Sequence, residues 1–492
     1  MKLRALADAL RSIVGRAGVI DEPARLLPYE SDALALFQTR PALVCLPRDT
    51  QETARSLRLF HQEGIPVIPR GAGTGLAGGA TPVEGGVVLS TARMRDILEV
   101  NAEDRYARVQ AGVVNVDLTG LCARHGLLYA PDPSSQMACT IGGNVANNSG
   151  GPHCFKYGAT TRHVLGLVIV TAEGEVLDLS EPLVDPAGYD LVGLFVGSEG
   201  TFGIATEVTV RLVPKPPVVE VLLALFTSLE DACDSVSEII AARLEPAALE
   251  ILDKLTIEAV EASVYAAGYP REAEAVLLVE LEGSEVEVAG SARDVLAILE
   301  RHRPIEVRRA RDAEARRKLW AGRKGAFGAM GRIAPDLYVA DAVVPRTKLR
   351  ELVLCAVEIC RARNLRLANV FHAGDGNLHP NICYDRRDAD EVKSVLEAGH
   401  LILEACVKAG GSLTGEHGVG LEKLAEMELL FTPADLHAFC RVRDAWDPER
   451  HMNPGKLVPM RACMEIRQAP IGAPATHAPI PAAANVAKGA RP

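Results

Sequence analysis

Between positions 70 and 79 the chain reads Arg70-Gly-Ala-Gly-Thr-Gly-Leu-Ala-Gly-Gly79, too rich in glycine for the interior of a helix or strand. Without Cβ atoms, its backbone N–H groups can turn inward and approach a pyrophosphate, so the segment reads as a phosphate cradle. Gly73, Gly75 and Gly78 match the G-x-G-x-x-G of dinucleotide-binding folds, but that motif has to open a helix whose N-terminus faces the phosphates. Here Pro82 and Gly85-Gly86 follow, and residues 86–90 then read as a strand, as do residues 65–69 before the loop. A loop running between strands disfavours an NAD-type fold. On its own it is either a phosphate cradle or a glycine-rich hairpin with no ligand.

Two more stretches of this kind lie in the same half of the chain. Ala130-Pro-Asp-Pro-Ser-Ser135 leads into Thr140-Ile-Gly-Gly-Asn-Val-Ala-Asn-Asn-Ser-Gly-Gly151, and Val196-Gly-Ser-Glu-Gly-Thr-Phe-Gly-Ile-Ala-Thr-Glu207 comes later. Three such stretches suit a large, flat, polar cofactor that needs one for its pyrophosphate, one for its ring edges and one to close over the rest. Composition narrows the field further. Fifty-three basic against 64 acidic side chains give a net charge of −11 with no dense Lys/Arg block, which leaves nucleic-acid binding without an electrostatic footing. No apolar run approaches ~20 residues, so any membrane contact is expected to be peripheral. The 11 cysteines are scattered without C-x-x-C pairs, which points to reduced, cytoplasmic thiols and to no iron–sulfur ligand set in this chain.

The patterning predicts an α+β protein in four parts. Residues 1–36 are an N-terminal helical segment, 37–217 a cofactor domain of short strands and helices, 218–462 a cap with helices on a mainly antiparallel sheet, and 463–492 a disordered Ala/Pro-rich tail. The stiff Val213-Pro-Lys-Pro-Pro217 marks the junction between the cofactor domain and the cap.

The cap carries its own chemistry. Phe371-His-Ala-Gly-Asp-Gly-Asn-Leu-His379 reads as a hairpin with its turn at residues 374–377, which makes His372 and His379 a directly opposed pair ~5 Å apart. Such a pair is either two metal ligands or two ordinary surface histidines. In Thr414-Gly-Glu-His-Gly-Val-Gly420, the flanking glycines bend the backbone to present Glu416 and His417. Glu416 can complete a His2Glu divalent-metal site, zinc or manganese, and leave His417 for acid–base work. Arg323, among Arg308, Arg309, Arg311, Arg316 and Arg317, reads on its own as a helix-surface arginine.

Taken in order, Arg70-Gly-x-Gly-Thr-Gly75, Pro131-Asp-Pro-Ser-Ser135, Gly142-Gly-Asn144 and Gly197-Ser-Glu-Gly200 resemble the flavin-binding domain of the vanillyl-alcohol oxidase and p-cresol methylhydroxylase superfamily. Within it they resemble the FAD-linked 2-hydroxy-acid dehydrogenases, and the cap motifs narrow the resemblance to the glycolate oxidase members. The resemblance covers roughly residues 37–459. It implies FAD held by Arg70, Gly71, Ala72, Gly73, Thr74, Gly75 and Gly79, by Pro131, Asp132 and Ser135, by Thr140, Gly142, Gly143 and Asn147, by Gly200 and Ile204, and by Asn453 of Asn453-Pro-Gly-Lys456. The loop carries Thr74 and no histidine, so the flavin is expected to be non-covalent. The resemblance further makes His372, His379 and Glu416 the metal ligands, His417 the base and Arg323 the clamp for the substrate carboxylate. Relatives that act on larger hydroxy diacids place a lysine near Val339, and this chain does not. The implied reaction is oxidation of a small 2-hydroxy acid, glycolate and D-lactate among them, with electrons passed to a companion flavin subunit and an iron–sulfur subunit or to quinone. A stand-alone D-lactate dehydrogenase using quinone or cytochrome is the alternative. A non-catalytic flavin subunit is disfavoured because both His417 and Arg323 are present.

Overall fold

The computed structural model describes residues 2–180, 188–270 and 272–459; the tail expected at 463–492 lies outside the described residues. The first half is built on two sheets. In the smaller, the order is Val19–Ile20, Leu43–Cys45, Val87–Ser90, Val67–Arg70, and the last three strands run parallel. Parallel neighbours need a long crossover. Between Val67–Arg70 and Val87–Ser90 that crossover is the glycine loop itself, with no helix in it. The second sheet is antiparallel, in the order Ile97–Asn101, Tyr106–Gln110, Ile204–Arg211, Val164–Val170, Val176–Asp178.

The division expected at residue 37 cuts through a single core. Leu6, Ala7, Leu10 and Val14, on the helix Leu3–Val14, are buried with Leu43, Cys45, Leu57 and Phe60. A short amphipathic helix cannot bury its apolar stripe alone, so the segment docks on the first sheet and adds Val19–Ile20 to it. The helix Thr50–Gln62 begins at Asp49, whose side chain accepts from Glu52 N. The spacing of Asp49 and Glu52 reads in the sequence as a capping box, but Glu52 does not close it, because its carboxylate accepts from Arg48 N instead.

The cap is a nine-stranded antiparallel sheet whose central strands are Val218–Phe226, Ala275–Gly283, Ala248–Asp253 and Arg366–His372. Its strands are buried on both faces. Leu222, Ala224 and Phe226 face the helices Leu229–Ala241, Glu285–Arg301, Leu349–Arg361 and Ala389–Lys408, while Val221, Leu223 and Leu225 face Lys254–Glu261 and Ala313–Met330. Period-2 alternation therefore appears as a continuous apolar run, because both sides are covered.

Candidate active site

One cavity of about 560 Å³ opens between the two halves. Its first wall is the glycine loop: Arg70, Gly71, Ala72, Gly73, Thr74, Gly75 and Gly79 all line it. Thr140 caps the short helix Ile141–Asn147 by accepting from Gly143 N, and so turns Gly142, Gly143 and Asn147 to the same space; Ser135, Gly200 and Ile204 join them. At Gly75 a Cβ would meet only Asp32 Oδ2, at 3.6 Å. The space in front of that backbone is open, as a bound pyrophosphate would require.

Three expected residues serve from behind the wall, and a fourth only partly faces the cavity. Pro131 O accepts from Asn115 Nδ2, and Asp132 Oδ2 lies 2.7 Å from His153 Nδ1, so this pair fixes the second stretch instead of lining the cavity. Asn453 Nδ2 donates to Gly79 O and to Glu199 O, bracing the loop from its far side. Arg70 lines the cavity, but its guanidinium is engaged by Ser31 O and Pro28 O, tying the loop to the N-terminal segment.

Asp32, with no signal in the sequence beyond a polar loop, is buried on the cavity wall, accepts from Leu34 N, and is pushed up to about 6 by burial. A carboxyl whose folded value is raised contributes stability that is complete below the unfolded value, near 4, and lost as pH rises through 6. Asp32→Asn is therefore expected to gain a few degrees of Tm on the wild type between pH 5 and 7, read by calorimetry. A constant difference across that window would contradict the assignment.

On the cap side, the hairpin register differs from expectation. The turn is 373–376, not 374–377, because Gly376 takes φ +80° and Asp375 Oδ1 accepts from Asn377 N. His372 consequently pairs with Asn377, and His379 is its diagonal neighbour on the same face. The two rings still meet edge to face, with centroids 5.1 Å apart.

Glu416 reaches both rings: its Oε1 lies 3.4 Å from His372 Nε2 and 3.1 Å from His379 Nε2. Ligand atoms of these three residues lie within 4.8 Å of one another. Buried and without a hydrogen-bond partner among the described residues are His372 Nε2, Glu416 Oε2, His379 Nδ1 and His417 Nδ1. Such orphaned atoms are rare in a folded interior and fit a group that is bound in use.

Two buried carboxylates that sequence reasoning missed organise this cluster. Asp341 Oδ2 accepts from Thr414 Oγ1 at 2.7 Å, Gly415 N at 2.9 Å and His417 N at 3.0 Å, gathering the turn that carries Glu416 and His417. Glu250 accepts from Arg323 Nε at 2.6 Å and lies 2.7 Å from His372 Nδ1. From the N-terminal half, Asn147 Nδ2 donates to His417 O, and Glu199 accepts from Val419 N and Gly420 N. A side chain at Gly418, which takes φ +84°, would place its Cβ 2.5 Å from Glu199 Oε1. This close contact makes His417 belong to both halves.

Burial and neighbours set the charges. Burial drives His417 down to about 4 against the opposing pull of Asp341, leaving a neutral imidazole beside the stacked ring of His379, 5.0 Å away. Burial would also lower His372, but the Glu250 carboxylate outweighs it and raises that imidazole to about 10. Burial opposes ionisation of Glu416, yet its contacts with His372 and His379 hold it well below the carboxylate range. Arg323, Val339, His379, Glu416 and His417 all line the same cavity as the glycine loop.

Two family models match the chain: an FAD binding domain over residues 41–180 and the C-terminal domain of FAD linked oxidases over residues 215–457. The glycolate oxidase subunit GlcD of Escherichia coli is 46% identical over 93% of this chain and 92% of its own length, and that of Bacillus subtilis is 40% identical over 92% and 96%. A D-lactate dehydrogenase from Archaeoglobus fulgidus is 34% identical over 89% and 99%. Substrate-bound p-cresol methylhydroxylase superposes with a TM-score of 0.77 at 18% identity, over 92% of this chain and 96% of that one, which establishes the fold. The cavity, walled on one side by the glycine stretches and on the other by the histidine–carboxylate cluster, is that of an FAD-dependent oxidoreductase, and the chain belongs to the FAD-linked oxidase family, beside the GlcD subunits of glycolate oxidases.

Proposed function

We propose that this chain oxidises small 2-hydroxy acids, glycolate and D-lactate, to their 2-oxo acids, as the flavin subunit of a glycolate oxidase complex with a companion flavin subunit and an iron–sulfur subunit. The observation that carries the reading is the shared cavity, in which the glycine loop, Arg323 and His417 converge. FAD, bound without a covalent link on the glycine stretches, would supply the hydride acceptor, and a divalent ion, zinc or manganese, would be held by His372, His379 and Glu416 and would supply a Lewis acid toward the substrate hydroxyl.

The chain's own residues do the rest. Arg323 takes the substrate carboxylate on its planar fork, which fixes the orientation of C2. His417, held neutral, removes the hydroxyl proton. Val339, an apolar residue on the wall, offers no partner to a second carboxylate and so favours short monoacids over diacids. Electrons leave through the partner subunits or to quinone, since the cysteines of this chain form no cluster motif. Any membrane association is peripheral, through those partners; among the described residues no helix is long and apolar enough to cross a membrane.

The test is single-turnover flavin reduction and steady-state turnover with glycolate and with D-lactate, with and without the companion subunits. Preference for glycolate and dependence on the companions are expected. Full turnover on D-lactate by the isolated chain with quinone would favour the stand-alone dehydrogenase reading, which the Archaeoglobus relative supports. The cradle has its own test. A branched side chain at Gly75 meets little protein, so Gly75→Val is expected to fold and yet purify without flavin, seen in its absorption spectrum. Normal flavin content would remove the loop from the site.

A further inference from the structure

We propose that Glu250 is a positioning residue that sets two parts of the active site with one carboxylate, orienting the Arg323 guanidinium for the substrate and fixing the ring tautomer of His372 for the metal. This rests on the ligand and clamp roles argued above.

Glu250 sits in the middle of Ala248–Asp253, a buried strand in which Ala248, Leu249, Ile251 and Leu252 are apolar and the last residue, Asp253, caps the helix that follows. A carboxylate there, with 0% exposure, serves no packing purpose and is costly unless its oxygens are engaged. Both are engaged, by different elements. Oε2 accepts from Arg323 Nε, on the helix Ala313–Met330, at 2.6 Å, and Oε1 lies 2.7 Å from His372 Nδ1. The backbone holds this arrangement rigidly, since Glu250 is directly opposite His372 on one side and Leu278 on the other.

The chemistry follows from donor and acceptor identity. An ionised carboxylate only accepts, so the hydrogen between Glu250 and His372 belongs to Nδ1, and the proton that a metal ion would displace from the ring is the one on Nε2, whose lone pair then faces the ion. That nitrogen faces Glu416 at 3.4 Å and has no hydrogen-bond partner among the described residues. Histidine ligands are generally oriented by such a partner on the far nitrogen. Here the partner is shared with the arginine, so metal retention and substrate-carboxylate binding are set by one group.

Glutamine is the discriminating replacement, because it keeps the shape and offers one accepting oxygen to two donors. Its amide N–H must then face either Arg323 or His372 and cannot accept from it. In flavin-loaded Glu250→Gln, zinc retention in competition with a chelator, measured by elemental analysis, is expected to fall roughly 10–100-fold. Oxalate binding, read from the perturbed flavin spectrum, is expected to weaken in the same variant. Glu250→Asp, which keeps both accepting oxygens, is expected to recover part of both, and it decides the question if the glutamine variant does not fold. Wild-type zinc retention in either folded variant, or loss of one function without the other, would overturn the proposal. A wild-type chain that takes up no zinc while binding oxalate normally would remove the metal reading itself, and the shared role with it.

Discussion

Alanine at His417 is expected to slow single-turnover reduction of the flavin by glycolate by roughly 10²–10⁴-fold, the usual span for loss of a general base, with a much smaller change in KM. The imidazole is neutral and desolvated, its Nδ1 has no hydrogen-bond partner among the described residues, and it shares the cavity with the glycine loop. The task proposed for it arises only as the hydroxyl proton leaves, so its loss is expected to fall on the chemical step and not on binding. Arg323 is the contrast. In the proposed mechanism it meets a group charged in both ground and transition states, so its removal is expected to raise KM first. The structure also decides which arginine variant to make. Arg323→Ala would leave Oε2 of the buried Glu250 carboxylate without its partner, a destabilisation of up to about 3–5 kcal/mol, with Oε1 still held by His372. Arg323→Lys keeps a cation beside Glu250 and loses the planar fork, which separates binding from folding. Because the reductive step is isolated, absence of partner subunits does not blur the result. His417→Ala reducing its flavin at the wild-type rate would place the base elsewhere.

Much of this architecture is legible in the sequence because its signals are local. Glycine density marks the cradle, and the turn residues of 371–379 mark a hairpin even though they point to a register one step away from the real one. That difference is small in consequence because moving the turn by one residue keeps both histidines on the same face. The carboxylates are less legible. Ala248–Asp253 does not stand out as a strand, nor Glu250 with it, because a charged residue amid apolar neighbours gives no period-2 contrast when both faces are covered. Asp341 lies in the short link between the strands Asp336–Val339 and Ala342–Val343, 74 residues from Gly415 in the turn it organises, and nothing nearby in sequence points to that turn. Pro131 and Asp132 show the converse limit. The motif that holds them is plain, but whether a residue lines a cavity or braces its wall depends on partners such as Asn115 and His153 that only the fold brings close.

Removing divalent metal with a chelator is expected to abolish turnover while the flavin stays bound, and readdition of zinc or manganese is expected to restore it. The two outcomes separate because the proposed ligands and the cradle are built on different elements. His372 and His379 come from the cap hairpin and Glu416 from the turn that Asp341 gathers, whereas the loop from Gly71 to Gly79 is braced by Asn453 and by the N-terminal segment. Where the segment after that turn does touch the loop, the donors to Ala77 O are Leu421 N and Glu422 N and not the three ligand side chains. His379→Ala is a second route to the same end and a less clean one, since its ring is stacked nearly parallel to that of His417, at 3°, and its removal frees the base as well. Chelation leaves every side chain in place and is therefore the primary experiment. It also has a readout that does not depend on activity, because an ion bound only by the folded chain stabilises it by about 2.7 kcal/mol at a hundredfold excess over Kd, a rise in Tm of several degrees. That rise should vanish in His379→Ala and persist in His417→Ala, whose nitrogens are outside the ligand set. Full activity in the demonstrable absence of divalent metal would sink the His2Glu assignment and leave Glu416 as a carboxylate shared between two histidines for charge alone.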